Sequence, residues 1–323
     1  MKNRTRREFF KQLTYSGVAA AFLPAILSSC RDPFLSSDKN CVDLDGILPI
    51  TFIGDCADLI LQLSSISEKG RTALRADINL NIPGNMSRLA PALLFQDETI
   101  LELLNHTKHE WDSGTGDSTT EQKYALYMGW IIYSDFREAT GKLYHRLIDN
   151  GYHYDDIRVC HDAFIIRQLS DNTGIDPGIT PDILEEFLNL MLPRMITRLH
   201  TFKPDATDGK KWVNDMTGWR KANKDLIRKY AEEIIHPNQD YIDKFILKPG
   251  FYEPLDDIIQ LARKIRKGVN VPENDILNTL KSDSGNSIYA KSLVNGIEKA
   301  KLTDLFTTGE LGFSEFSHQI ART

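Results

Sequence analysis

The chain has 323 residues, 41% of them hydrophobic and 26% charged, and its 45 acidic against 39 basic side chains give a net charge of −6. That length supports one large core or two modest domains, and the composition is that of an ordinary globular protein. The acidic balance argues against a nucleic-acid binder, whose affinity comes from neutralising phosphates, and against electrostatic adhesion to anionic lipid.

Residues 1–29 have the three-part layout of an export signal. Lys2, Arg4, Arg6 and Arg7 come first, followed by an uncharged stretch from Leu13 to Ser29 with its apolar heart at Gly17 to Leu27. The stretch is too short for a stable membrane span. Thr5-Arg6-Arg7-Glu8-Phe9-Phe10-Lys11 closely resembles the twin-arginine consensus: an arginine pair, an aromatic at Phe9 and a closing Lys11. An ordinary secretory signal needs only positive charge, so this order is informative. Leu27-Ser28-Ser29-Cys30 resembles a bacterial lipobox. The resemblance implies that the Cys30 thiol accepts diacylglycerol and becomes the mature N-terminus. A buried amphipathic helix with an incidental cysteine is the competing reading; three features in the right order favour the signal. The chain is therefore expected in a bacterial cell envelope, on the periplasmic or outer-surface side. Acyl chains on one cysteine would hold it there at about 0.8 kcal/mol per buried methylene.

Loss of residues 1–29 would leave 34 basic against 44 acidic side chains, a net charge of −10. Cys41, Cys56 and Cys160 would then remain beside Cys30. An odd count in an oxidising compartment permits one disulfide, and Cys41 with Cys56 would staple the tether to the first helix; the alternative is three buried free thiols. Residues 30–48, with Pro33, Ser36, Ser37, Asp38, Lys39 and Asn40, read as a linker.

From Ile53 onward apolar residues recur mostly at helical spacing. Helices are expected at Phe52 to Gly70, Leu89 to Leu94 and Thr99 to His109. The clearest one follows Ser118-Thr119-Thr120-Glu121, a capping-box pattern. It runs through Tyr124, Met128, Ile131, Ile132, Phe136, Leu143 and Leu147 until Asn150-Gly151. Some thirty residues would span about 45 Å and form the spine of the domain. Asp155 to Leu169 reads as a buried helix, and Thr180-Pro181-Asp182 starts another through Leu199. Further helices are expected at Met216 to Ile235, Asn238 to Phe245, Pro254 to Lys267, Pro272 to Leu280 and Ile288 to Ala300. Period-two alternation is short and rare. The expectation is an all-α single domain over residues 49–323, built on a long central helix.

Little in this body announces chemistry. His106 and His109 lie three apart on a helix, without the glutamate a zincin places between its histidines, and read as solvated. Asp135 and Glu138 lie three apart on the spine helix, with His145 on roughly the same face and His161 on the next helix. They are the candidate metal residues, by comparison with carboxylate and histidine sites in helical bundles. Arg137, Lys142 and Arg146 are equally available to take those carboxylates into ordinary ion pairs, so no metal is assigned. Tyr152-His153-Tyr154-Asp155-Asp156, followed by His161-Asp162, is the densest polar and aromatic segment. It could line a pocket or serve as a helix connection with a capping aspartate. Asp205 to Gly209 reads as a turn rather than a calcium loop. No Gly-rich phosphate loop, dinucleotide fingerprint, Gly-x-Ser-x-Gly elbow or Cys-x-x-Cys occurs, and no cofactor is evident.

With its arginine-pair motif, short apolar run, Leu27-Ser28-Ser29-Cys30 and helical body, the chain resembles the small subunits of membrane-associated flavin dehydrogenases, of the gluconate 2-dehydrogenase subunit 3 and sorbitol dehydrogenase small-subunit type. The resemblance covers about thirty residues of motif and general character thereafter. It implies a non-catalytic accessory subunit that carries the export signal for a flavoprotein large subunit. Two other classes stand beside it. One is an envelope enzyme with its own metal or cofactor; the other is a surface glycan- or peptide-binding lipoprotein using Trp111, Trp130, Trp212 and Trp219 as platforms.

Overall fold

A computed structural model describes residues 47–76, 87, 90, 97–116, 120–173, 229, 232–233, 236–282 and 285–323. Among these, all regular structure is helical and the fold is all-α. The signal residues Arg6, Arg7, Phe9 and Lys11, the lipid-attachment residue Cys30, Cys41 and most of the segment expected to be helical between Thr180 and Ile235 lie outside the described residues.

Helix α1, Ile47–Ile60, is apolar on most sides, and Phe52, Ile53, Cys56, Leu59 and Ile60 are all fully buried. A helix with so little polar face belongs in the middle of a core. It does not run on to Gly70. Residues 61–67 turn instead, and α2 occupies Glu68–Leu74. Two features stabilise the break. The Arg71 guanidinium donates to the carbonyls of Leu61 and Leu63 and, at 3.0 Å, of Ile66, taking up acceptors that a helix end leaves open. Ser67 then caps α2, accepting the Gly70 N–H at 3.0 Å.

Helix α3 is Asp97–Asp112, and the spine α4 runs 30 residues, Thr120–Asp149. It ends as expected at Asn150-Gly151, where Gly151 takes φ 90° and the Tyr152 N–H reaches the Leu147 carbonyl at 3.2 Å. Helix α5, Tyr154–Thr173, follows. Asn238 caps α6, Gln239–Tyr241, which widens into a π-helical turn over Ile242–Leu247. Then come α7, Asp257–Arg266, and α8, Glu273–Lys281. Helix α9 covers Ile288–Thr308 and stops at Gly309 with φ 84°, beyond the Ala300 end that periodicity suggests. A last short helix, α10 at Phe313–Ile320, folds back so that Phe316 stacks on Phe306 at 4.6 Å.

The core forms where α4 crosses α9 and α1. Phe52 and Phe136 stack at 4.2 Å, and Tyr289 meets both edge-on at 5.4 and 5.5 Å. Glycine makes the crossing close: a Cβ on Gly296 would lie 3.1 Å from the Ile132 carbonyl oxygen. Elsewhere on α4, a Cβ on Gly129 would come within 2.2 Å of the Ser87 carbonyl oxygen. Inside this core Asp55 pairs with Arg266 and accepts the Tyr289 hydroxyl at 2.9 Å, tying α1 to α7 and α9. No described helix is long and apolar enough to cross a membrane.

Candidate functional site

Among the described residues, one side of the spine is left open. There α4, the start of α1, α5, α9 and the end of α10 enclose a cleft of about 840 Å³, within the size range of small-molecule sites. Periodicity builds its floor: Trp130, Ser134, Arg137 and Gly141 recur three to four residues apart along α4, so they share one face. Tyr144, one turn beyond Gly141, continues the wall, and Tyr154 and Asp162 face it from α5.

The polar centre is an ion pair. Lys299 comes from α9, is only 5% exposed, and its ammonium donates to Asp135 and, at 2.9 Å, to the Ser134 hydroxyl. The second carboxylate oxygen of Asp135 is buried and has no hydrogen-bond partner among the described residues. Glu138 also lines the cleft, but its carboxylate turns to Lys142 at 2.5 Å, a hydrogen bond that holds its pKa below the usual carboxylate value. The Arg137 guanidinium lies 4.7 Å from the centre of the Trp130 ring. Asp162 Oδ1 accepts the Leu48 N–H at 2.9 Å and so fixes where α1 enters.

The four candidate metal residues are distributed differently. Asp135 and Glu138 share the cleft, whereas His145 is exposed on α4. His161 is fully buried between Tyr144 at 5.1 Å and Phe251 at 4.3 Å. Its Nδ1 sits 2.8 Å from the Ile157 carbonyl, and burial pushes its pKa down to about 4. Among the described residues no three His, Cys, Asp or Glu side chains meet as a metal-holding group. That statement includes two Glu-x-x-His pairs that the sequence reading passed over, Glu233 with His236 and Glu315 with His318. His236 and His318 are exposed, and Glu315 accepts from Gln319 at 3.1 Å. Glu233 lines a smaller cavity of about 440 Å³ with Asp156 and Lys229, its carboxyl raised in pKa by burial. His106 and His109 are exposed on α3.

The dense Tyr152 to Asp162 segment divides between both readings offered for it. Tyr154 and Asp162 line the cleft, while Asp155 and Asp156 sit in the first turn of α5, where the dipole favours acid. Of the tryptophans, Trp130 is buried, Trp111 is half-buried under the Lys69 ammonium at 4.7 Å, and Trp212 and Trp219 lie outside the described residues. Cys56 is a free thiol in the core, its Sγ 4.0 Å from the Leu293 carbonyl; the partner suggested for it, Cys41, lies outside the described residues. Sequence reasoning missed Lys299, which sits in a helix reading as ordinary core, and nothing in the local pattern links it to Asp135. The chain matches no protein-family model, no curated protein and no solved structure.

Proposed function

We propose that this chain is a lipid-anchored accessory subunit of a bacterial envelope complex, exported folded through the twin-arginine route. The observation that carries the reading is the order of features in the first thirty residues: Arg6-Arg7 with Phe9 and Lys11, an apolar run, then Leu27-Ser28-Ser29-Cys30. From Cys30 to the start of α1 at Ile47 are 17 residues, a reach of at most about 60 Å. A body held that close to a bilayer is well placed to serve a membrane-associated partner. A flavoprotein large subunit, of the sugar or polyol dehydrogenase kind, is the partner class that the resemblance suggests.

The test is mass spectrometry of protein purified from its native membranes, with co-purification in mild detergent. An acylated Cys30 as the first residue, with a second protein in fixed stoichiometry, is the expected result. An intact Met1 or an unmodified Cys30 thiol overturns the anchor. An acylated protein that purifies alone overturns the subunit role and leaves the anchor standing.

A further inference from the structure

We infer that residues 40–46, the last part of the segment leading into α1, lie in the cleft beside α4 and cover it. The inference holds whether or not Cys30 carries lipid, and so stands apart from the function proposed above.

The place where α1 begins is the first reason. The leading amides of a helix have no partner inside it, and that of Leu48 is taken at 2.9 Å by Asp162, a residue 1% exposed in the cleft wall. Leu48 and Pro49 line the same cleft. The chain that precedes α1 therefore joins it at the cavity itself. Length is the second reason. The lining positions on α4 run from Trp130 to Tyr144, fourteen residues apart and so about 21 Å. Seven extended residues span about 23 Å, enough for residues 40–46 to cross the cleft from end to end.

The chemistry of the two sides agrees. Leu101, Tyr144, Tyr154 and Ile320 line the cleft and are only half-buried, which leaves apolar surface open among the described residues. Val42 and Leu44 alternate with Asp43 and Asp45, so in an extended segment the apolar pair faces one way and the acids the other. Arg137, Arg158, Lys299 and Arg322 line the cleft against Asp135, Glu138 and Asp162. Two of those acids are already engaged, Glu138 by Lys142 and Asp162 by the Leu48 amide. Residues 40–46 bring two acids and no base. With Val42 and Leu44 turned to the apolar lining, Asp43 and Asp45 face the rim, where Arg322 is exposed. Seating these residues also shortens the free tether to the ten positions from Cys30 to Lys39, at most about 35 Å.

The experiment is distance measurement between nitroxide pairs on the full chain. Cys30→Ser removes one of the four cysteines and makes the outcome independent of acylation; Cys56 and Cys160 are buried, so Cys41 takes the label. The second label sits on Glu138→Cys, at the α4 side of the cleft, or on His318→Cys, beside the lining residue Ser317 of α10; both positions are exposed. Each distance should form one narrow population no longer than about 30 Å, the length of the cleft plus the reach of the labels. Val42→Asp with Leu44→Asp should broaden both populations, while Val42→Ile with Leu44→Ile should keep them. Broad or longer distances in the parent overturn the inference, as do narrow ones that the paired aspartates leave unchanged. Distances that vanish on dilution with unlabelled chain overturn it in favour of a second copy seated in the cleft.

Discussion

Asp304, near the end of α9, holds Ser67 at the start of α2 through both carboxylate oxygens, Oδ2 accepting the backbone N–H at 2.8 Å and Oδ1 the hydroxyl at 2.6 Å. The same hydroxyl accepts the Gly70 N–H at 3.0 Å, so the cap of α2 is oriented by a residue 237 positions away. Asp304 is 4% exposed, and its removal would leave a backbone donor and a hydroxyl without their partner. Asp304→Ala should cost about 2–4 kcal/mol, read as a lower urea midpoint at unchanged slope. Gly70→Ala should be comparably harmful, since its Cβ would collide with that carboxylate.

Two glycines on one helix should respond in opposite directions to the same substitution. Gly129→Ala would drive a methyl to 2.2 Å from the Ser87 carbonyl, a backbone atom that cannot rotate away, and should destabilise by about 3 kcal/mol or more. Gly141→Ala meets nothing among the described residues and should stabilise by about 0.5–1 kcal/mol, through higher helix propensity and a less flexible unfolded chain. Parallel thermal melts of the two variants decide this, and a Gly141→Ala melting below the parent would show that the space beside Gly141 is occupied in solution.

What could be read in advance followed from local periodicity. The spine α4 was legible because its apolar spacing and its Asn150-Gly151 end agree; Ser118 and Thr119 of the expected capping pattern lie outside the described residues. The break at residues 61–67 was not, because beside the local Arg71 and Ser67 contacts its supports are distant: Asp304 holds Ser67, and Glu273 accepts from the Ser64 amide and hydroxyl at 2.7 and 2.9 Å. The serines there, neutral to helix by propensity, become turn residues only when those acids arrive. Helix α10 was missed because eight residues with Phe313, Phe316 and Ile320 give too short a period to register. In the site, Asp135 stood out by its spacing with Glu138, but its real partner Lys299 is 164 residues away and no local pattern announces it.

Cys56 and Cys160 should be chemically silent in the folded protein. Both are buried, and burial raises both thiol pKa values, with the carboxylates of Asp55 and Asp58 adding to the effect at Cys56 and Glu233 at Cys160. The reactive species is the thiolate, which neither site favours. Iodoacetamide at neutral pH should leave both unmodified over hours and label them once denaturant is added. Peptide mapping that finds Cys56 alkylated without denaturant would show that α1 opens away from α9 far more readily than its packing implies.

His161 should make the fold acid-sensitive over a defined window. In the unfolded chain its imidazole titrates near the ordinary value of 6.5, whereas burial holds the folded value down to about 4. Between those values the unfolded state binds a proton that the folded state refuses, so folding stability falls as pH drops from about 6.5 and the loss is complete below about 4. At 1.36 kcal/mol per pH unit the full effect is about 3 kcal/mol. Its surroundings offer the cation little relief, since the ring lies between Tyr144 and Phe251 and the hydrogen bond to the Ile157 carbonyl, which favours the protonated ring, offsets only part of the effect of burial. His161→Phe keeps an aromatic ring in the slot and removes the titration. Urea denaturation at pH 7.5 and pH 4.5 should show the parent losing about 2–3 kcal/mol more than the variant across that range. Equal losses in the two proteins would mean that the imidazole already reaches solvent or a proton acceptor in the folded state.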